Sequence, residues 1–98
     1  MDVKGFKASL QQAEPPDGLN AALQALWHQA KGNWDRAHGL VQAQRDADGA
    51  WVHAHLHRAA GEAGNAGYWY RHAGRPPSQE RLDAEWEQIA SALLAVRR

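Results

Sequence analysis

The sequence contains no cysteine and no threonine, and its only isoleucine is Ile89. Without cysteine, the chain has no disulfide, no thiolate metal ligand and no thiol nucleophile. Scarce β-branched residues disfavour pleated strands, whereas twenty alanines favour helices. A chain of 98 residues has room for a single hydrophobic core. The composition therefore predicts one all-α domain.

The chain also lacks an excess of either charge, because eleven basic residues balance eleven acidic ones. No broad field attracts a phosphate backbone or an anionic lipid surface, so we expect neither nucleic acid nor a membrane as partner. An apolar run of about 18 residues, which a membrane span needs, is missing. A secretory signal peptide is also missing, so a cytoplasmic location is the default expectation.

Helix-breaking residues and apolar residues at spacings of three and four divide the chain into four segments. Residues 1–16 are predicted to form a short N-terminal helix that ends at Pro15-Pro16. Residues 17–45 and 49–74 are each predicted to form a helical hairpin, and residues 78–97 a closing amphipathic helix. That last helix either caps the core or supplies a dimer face. The prediction is five or six helices.

Polar residues at the segment boundaries predict where the helices begin. Asp17, Asn33 and Ser78 are the expected N-caps of the second, third and last helices. The turn residues 45–49 place the start of the fourth helix after Gly49. At the other end of the chain, Arg97 and Arg98 provide positive charge suited to a helix C-terminus.

Residues 32–41 and 61–70 have the pattern of one hairpin corner repeated 29 positions apart. A glycine ends the first helix, and an alanine five positions later lets the second helix pack closely. An aromatic residue four further and an alanine three further complete a pattern that resembles tetratricopeptide and Sel1-type helical repeats. The second copy matches it with Gly61, Ala66, Tyr70 and Ala73. The first has Gly32, Ala37 and, with an apolar side chain at the aromatic position, Val41, and it departs at Gln44.

This resemblance implies antiparallel helical hairpins and a role in binding proteins or peptides. The first helix of each unit departs from the family pattern, with Gln24 and His53 where a leucine belongs. The period of 29 residues is also shorter than the about 34 residues of a tetratricopeptide unit. The hairpin geometry is therefore the firmer part of the implication.

Several aromatic and arginine side chains lie outside the predicted inward faces, whereas Trp34, Trp69 and Tyr70 are expected in the core. His55 lies on the opposite side of its helix from His53 and is predicted to be a surface residue. Aromatic residues and arginine are enriched in interfaces. The candidate binding surface consists of Trp51, His55, Arg58, Tyr68 and Arg71.

The leading interpretation is a small helical scaffold that contacts a protein partner or a second copy of itself, with no cofactor. No motif names a reaction, so no catalytic residue is assigned and a non-enzymatic role is favoured. A small-ligand pocket between the tyrosines and arginines is a further interpretation. Such a pocket needs a volume of about 300 Å³ or more, and a core of this size leaves little room for it.

A group of histidines supports an alternative interpretation, in which the protein binds a metal ion. A hydrolytic enzyme is one form of this alternative. His53 and His57 are one turn apart on the same helix face, a spacing that can bind zinc with further ligands. His28, 29 positions before His57, is the natural third ligand, and His38 is another candidate. Ala54 replaces the glutamate of a metalloprotease motif. The competing interpretation is that these imidazoles simply hydrogen-bond to neighbouring helices.

Overall fold

Residues 1–95 are described by the structure, a computed structural model, and they form helices and connecting turns only. The all-α prediction is confirmed. The α-helices of this range are α1 (Val3–Ala8), α2 (Ala21–Ala30), α3 (Trp34–Ala43), α4 (Ala47–Ala59), α5 (Ala63–Ala73) and α6 (Leu82–Ala95); a 3₁₀ helix, Ser9–Gln11, continues α1. The predicted end of the closing helix at residues 96–97 and the terminal pair Arg97-Arg98 lie outside the described residues.

The helices form two antiparallel hairpins, hairpin one (α2–α3) and hairpin two (α4–α5), which pack through α2, α3 and α4. Helix α6 lies against α4, α2 and α1 and buries Trp86, Ile89 and Leu93, so this helix covers the core. Its Trp86 stacks on Phe6 of α1, with ring centroids 5.6 Å apart. Within residues 1–95, no helix combines the length and the apolar character needed to cross a bilayer.

The two hairpin corners have the same backbone conformation, as the sequence predicts. Gly32 and Gly61 have positive φ angles of 88° and 80°, which a side chain would strain. Ala37 and Ala66, five residues later, are both buried where the second helix approaches the first. The corner pattern therefore predicts local geometry correctly in both copies.

The predicted caps of the second and third helices have different outcomes. Asn33 caps α3 as predicted, and its side chain accepts a hydrogen bond from the N–H of Arg36 at 3.2 Å. Asp17 does not cap α2; Asn20 does, by accepting from the N–H of Leu23 at 2.9 Å. The reason is Gly18, whose φ of 81° turns the chain between Asp17 and the helix start.

The predicted start of α4 is three residues too late, which is most of one helical turn. Asp46 accepts a hydrogen bond from the N–H of Gly49 at 2.9 Å, so the helix begins at Ala47 and includes Gly49 in its first turn. A Cβ at Gly49 would lie 2.1 Å from the carbonyl oxygen of Gln44. The glycine therefore lets the first turn of α4 lie close to the backbone at the end of α3, and it does not end a turn.

Ser78 does not cap α6, which begins at Leu82. Its hydroxyl instead accepts a hydrogen bond from the N–H of Glu80 at 3.2 Å in the preceding loop. This loop follows Pro76-Pro77 and is held against hairpin two by Arg75, whose guanidinium carbon lies 3.4 Å from the ring centroid of Trp51. The loop therefore covers Trp51 before the helix starts.

Candidate metal site

Three histidine side chains from two helices converge between α3 and α4. The Nε2 atoms of His38 and His53 lie 3.0 Å apart. One ring nitrogen each from His38, His53 and His57 can be chosen so that all three lie within 4.8 Å of one another. His53 and His57, one turn apart in α4, stack nearly parallel with centroids 5.1 Å apart, and His38 meets both edge-on. We call this group the histidine cluster.

Two tryptophans hold the rings of the histidine cluster in position. Trp34, at the start of α3, stacks on His38 with centroids 4.8 Å apart, and Trp69 of α5 stacks on His53 at 3.8 Å. The indole N–H of Trp34 donates to the carbonyl oxygen of Leu56 at 2.8 Å, which fixes that ring in turn. Both imidazole planes are therefore set by packing and need no ion to orient them.

A carboxylate orients the third imidazole. Glu62 lies at the corner of hairpin two, and its Oε1 is 2.7 Å from Nδ1 of His57. When Nδ1 of a neutral imidazole donates to a carboxylate, Nε2 retains the lone pair and becomes a better metal ligand. The corner of hairpin two thus supplies a carboxylate that orients His57, a contact of the kind that accompanies metal-binding histidines.

Burial favours the neutral form of His53 and His38. Burial first, and then the neighbouring His38 and His57, lower the pKa of His53 to about 4. Burial also lowers the pKa of His38, as does His57, although Asp35 and Glu62 act in the opposite direction. Neutral imidazoles have the free lone pair that a metal ion requires.

The spacing of the cluster is close to that of a zinc site. Zinc binds imidazole nitrogen at about 2.0–2.1 Å, so two ligand atoms of a tetrahedral site are about 3.3 Å apart. The Nε2 atoms of His38 and His53 are 3.0 Å apart, slightly less than this value, and at this distance they form a hydrogen bond between α3 and α4 when one of them carries the proton. Three imidazoles and one open position form the ligand set of a catalytic rather than a structural zinc site.

The structure brings one of the two candidate third histidines to His53 and His57. His38 joins His53 and His57, but His28 does not. Its Nε2 instead accepts a hydrogen bond from Nε of Arg36 at 3.1 Å, and its ring lies edge-on to Trp27. His28 is the counterpart of His57, because the two hairpins repeat after 29 residues. The side chains that surround these two equivalent positions differ.

The five residues predicted as a binding surface do not share one exposed face. His55 is only 1% exposed and Trp51 only 7%, so the prediction that they are surface residues is wrong. Helix α6 covers His55, and the loop before it covers Trp51. Arg58 is half-buried, whereas Tyr68, 48% exposed, and Arg71 are on the surface.

Of the three aromatics expected in the core, Tyr70 is buried and Trp34 and Trp69 are half-buried against it.

A buried polar network that the sequence analysis does not identify joins hairpin two to α6. Glu85 is 1% exposed, and its Oε1 lies 2.7 Å from Nδ1 of His55 and 3.0 Å from a guanidinium nitrogen of Arg58. Its Oε2 accepts a hydrogen bond from the hydroxyl of Tyr70. Glu85 follows the same spacing of four as Ile89 and Leu93, so a carboxylate on the apolar face of α6 was the available signal.

Hydrogen bonds keep the buried Glu85 ionised. Burial alone raises the pKa of its carboxyl group, but hydrogen bonds from His55, Tyr70 and Arg58 outweigh burial and hold that pKa below its ordinary value. Burial also raises the pKa of the Tyr70 hydroxyl, and the hydrogen bond to Glu85 raises it further. Tyr70 therefore acts as a donor to a carboxylate.

The described residues define an all-α protein of two hairpins and a closing helix, with a cluster of three histidines between α3 and α4. No family model matches the chain, and no curated protein or solved structure shows significant similarity to it. The resemblance to tetratricopeptide and Sel1-type repeats therefore depends on the residues of the two corners alone.

Proposed function

We propose that this protein binds a divalent transition metal ion, zinc in the first instance, through the imidazoles of His38, His53 and His57. The single observation that carries the proposal is the convergence of three ligand nitrogens within 4.8 Å from two different helices. The carboxylate of Glu62 behind His57 and the stacked indoles behind His38 and His53 support it. Such outer contacts typically orient the ligands of a metal site.

The choice of zinc follows from the donor set. Imidazole nitrogens suit zinc, copper, nickel and iron, whereas the oxygen-rich sites of calcium and magnesium need carboxylates and carbonyls. Three nitrogens around a small volume favour a tetrahedral ion that completes its coordination with water. Copper and nickel are the competing ions that a binding experiment must include.

A metal ion held by three neutral imidazoles lowers the pKa of its bound water and can polarise a carbonyl or phosphoryl group. The reaction class that we propose for such a site is therefore hydrolysis by a metal-activated water. Ala54 rules out the glutamate of a metalloprotease motif at its usual position in α4. An enzyme on this scaffold would use the metal-bound water without that residue.

The test measures metal content and metal affinity on the untagged protein purified without chelator. We expect near one zinc per chain by elemental analysis, saturable zinc binding by calorimetry and a lower melting temperature after chelation. His38→Ala, His53→Ala and His57→Ala should each abolish stoichiometric uptake. His28→Ala and His72→Ala are matched controls, because both histidines lie outside the cluster, and they should leave uptake unchanged.

Two outcomes would contradict the proposal. One is a protein that neither contains nor binds zinc, copper or nickel and has the same melting curve with and without chelator. The other is a loss of metal that is equal in the cluster variants and in the two control variants, which would indicate non-specific binding to surface histidines.

A protein-interaction module, the leading interpretation from the sequence, is the second candidate. The exposed aromatic ring of Tyr68, next to the exposed Arg71 on α5, supports it. The shared backbone of the two corners supports a distant likeness to repeat units that bind proteins. Tyr68→Ala should then weaken partner capture and leave the fold intact, whereas a change at the buried Trp51 would also disturb the core.

A further inference from the structure

A cleft lies beside the histidine cluster, between the end of α3, the first half of α4 and α5. Its volume is about 510 Å³, within the range of small-molecule sites. His53 belongs both to the histidine cluster and to the lining of the cleft, so the two adjoin. Exposed residues such as Arg45 and Tyr68 also line it, so the cleft lies at the surface and takes no volume from the core. We call it the Trp69 cleft, after the indole that stacks on His53.

Aromatic rings form the end of the Trp69 cleft that lies next to His53. Trp69 stacks on His53 with centroids 3.8 Å apart, and Tyr68 meets Trp69 edge-on with centroids 5.1 Å apart. The apolar side chains of Val41 and Ala50 also line the cleft. Because Tyr68 is exposed and Trp69 only half-buried, a flat apolar group can pack against rings that the fold leaves partly uncovered.

The other end of the Trp69 cleft carries a cation without a partner. Arg45 lines the cleft, is exposed, and forms no ion pair with another of residues 1–95. The carboxylate in the lining, that of Asp46, is already engaged. Its Oδ1 accepts hydrogen bonds from the N–H of Gly49 and from Nε2 of Gln44, both at 2.9 Å. The group left free at this end is therefore a guanidinium, which binds a carboxylate through two parallel hydrogen bonds.

The two ends of the cleft are one small molecule apart. Arg45 comes directly before the N-cap of α4, and the six steps from Ala47 to His53 correspond to about 9 Å along the helix axis. A ligand that contacts both ends therefore needs an apolar ring, a short spacer and an anionic group.

We propose that the Trp69 cleft binds an organic acid whose aromatic end packs against Trp69 and Tyr68 and whose carboxylate pairs with Arg45. This inference deepens the proposed function and rests on it in one respect. With a metal ion in the histidine cluster, the aromatic end lies beside His53, so acids with a hydrolysable bond at that end are the substrate class of the metal site. Binding of the acid itself requires no metal.

The test uses 4-phenylbutyrate as the probe and 4-phenylbutyramide as its control, since the two have the same shape and only the acid is charged. Binding is followed by two-dimensional NMR of the full chain at low salt, because salt screens a pair formed by an exposed arginine. We expect saturable shifts at the indole N–H of Trp69 and the backbone N–H groups of Ala47 and Ala50, which line the cleft. The amide should bind at least about tenfold more weakly, because it forms no ion pair with Arg45.

The titrations are made first with chelator and then with zinc. The preference for the acid should be present with chelator, which excludes coordination of its carboxylate to zinc as the cause. With zinc, the shifts should extend to residues next to the histidine cluster.

Variants separate the role of Arg45 from a general effect of positive charge. Arg45→Gln should weaken binding of 4-phenylbutyrate about tenfold and leave binding of the amide unchanged. Arg71→Gln is the matched control, because Arg71 is also exposed but lies outside the cleft, and it should alter neither affinity. Tyr68→Ala removes an exposed ring and should weaken binding of both probes about two- to tenfold.

Three results would overturn the proposal. These are equal binding of the acid and the amide with chelator present, an equal loss of acid binding in Arg45→Gln and Arg71→Gln, and shifts that do not saturate or that centre away from Trp69. Failure of the metal site gives a different result: the chain then takes up no zinc but still prefers the acid in chelator. Zinc uptake without a preference for the acid refutes the cleft and leaves the metal site standing.

Discussion

Hairpin one and hairpin two have the same corner and different chemistry. Lys31 and Ala60, which end the first helices, have φ and ψ of −83° and 2°, and −84° and 0°. The residues that start the second helices match as well, with −110° and 76° at Asn33 and −105° and 72° at Glu62. In both corners the N–H of this residue donates to a carbonyl oxygen five positions earlier at 2.9 Å. The backbone is thus repeated almost angle for angle.

The side chains at equivalent positions of the two hairpins differ in polarity. Leu26 and Val41 of hairpin one are buried apolar residues. At the corresponding positions, 29 residues later, hairpin two buries His55 and Tyr70, which both bond to Glu85 of α6. A corner formed by glycine and alanine therefore leaves the inward positions free to carry either an apolar core or a polar network.

The difference extends to the corner residues themselves. Asn33 caps its helix through its side chain, whereas Glu62 makes no such cap and bonds to His57 instead. His28, the counterpart of His57, interacts with Arg36. The same backbone position thus serves helix capping in hairpin one and ligand orientation in hairpin two.

The largest expected effect is the loss of the carboxylate on which the polar network of hairpin two depends. Glu85→Ala leaves His55, Arg58 and Tyr70 without their common partner, and we expect a loss of about 3–5 kcal/mol in the free energy of unfolding. Urea unfolding followed by tryptophan fluorescence measures it. The control is Glu87→Ala on the same helix. Glu87 forms an exposed ion pair with Lys7, so its loss should change the free energy of unfolding by about 1 kcal/mol or less. Equal losses in the two variants would contradict a stabilising role for the network.

The second effect is a pH dependence that arises from the neutral His53. Its pKa is lowered in the folded protein to about 4 from 6.5, so between these values the unfolded chain binds the extra proton. The free energy of unfolding should therefore fall by roughly 2–3 kcal/mol as the pH drops from 6.5 to 4, measured by urea unfolding in the presence of chelator. His53→Phe should flatten this profile, because phenylalanine can stack on Trp69 without titrating, and His28→Phe should leave most of the slope.

Glu85 adds a separate change at lower pH. Because its pKa is depressed on folding, its contribution to stability is present above pH 4.5 and is lost as the pH falls through the lower folded value. A profile that keeps its slope between pH 6.5 and 4.5 in His53→Phe would show that another group, and not His53, causes the first change.

The smallest expected effect comes from a substitution that exchanges the corner side chain of one hairpin for that of the other and leaves the backbone unchanged. Glu62→Asn gives hairpin two the corner residue of hairpin one, and we expect zinc affinity to fall about 10- to 100-fold because His57 loses its carboxylate. Helix α5 should persist, since asparagine starts α3 at the same backbone angles. Asn33→Ala is the complementary variant: it should cost about 1 kcal/mol of stability and leave zinc affinity unchanged. Calorimetry and urea unfolding measure both, and unchanged zinc affinity in Glu62→Asn would contradict a role for Glu62 behind the site.

The local features of this protein were predictable where they depend on residues close in sequence. The glycine and alanine of each corner predict its conformation, and the spacing of four predicts that His53 and His57 share a helix face. The N-caps Asn20 and Asp46 and the start of α6 at Leu82 were missed. Several polar residues compete at each boundary, and Gly18 and the proline loop decide which of them begins the helix. The prediction of repeat-family membership remains a prediction.

The sequence by itself determined the all-α class, the two corners and the pairing of His53 with His57, because these follow from helix periodicity and from the conformational freedom of glycine. Only the tertiary structure decided that His38, and not His28, completes the cluster. It also decided that Glu85 lies beside His55, 30 positions away. The physical reason is that periodicity relates residues three and four apart, whereas contacts between helices depend on how each helix is rotated by the packing of the whole core.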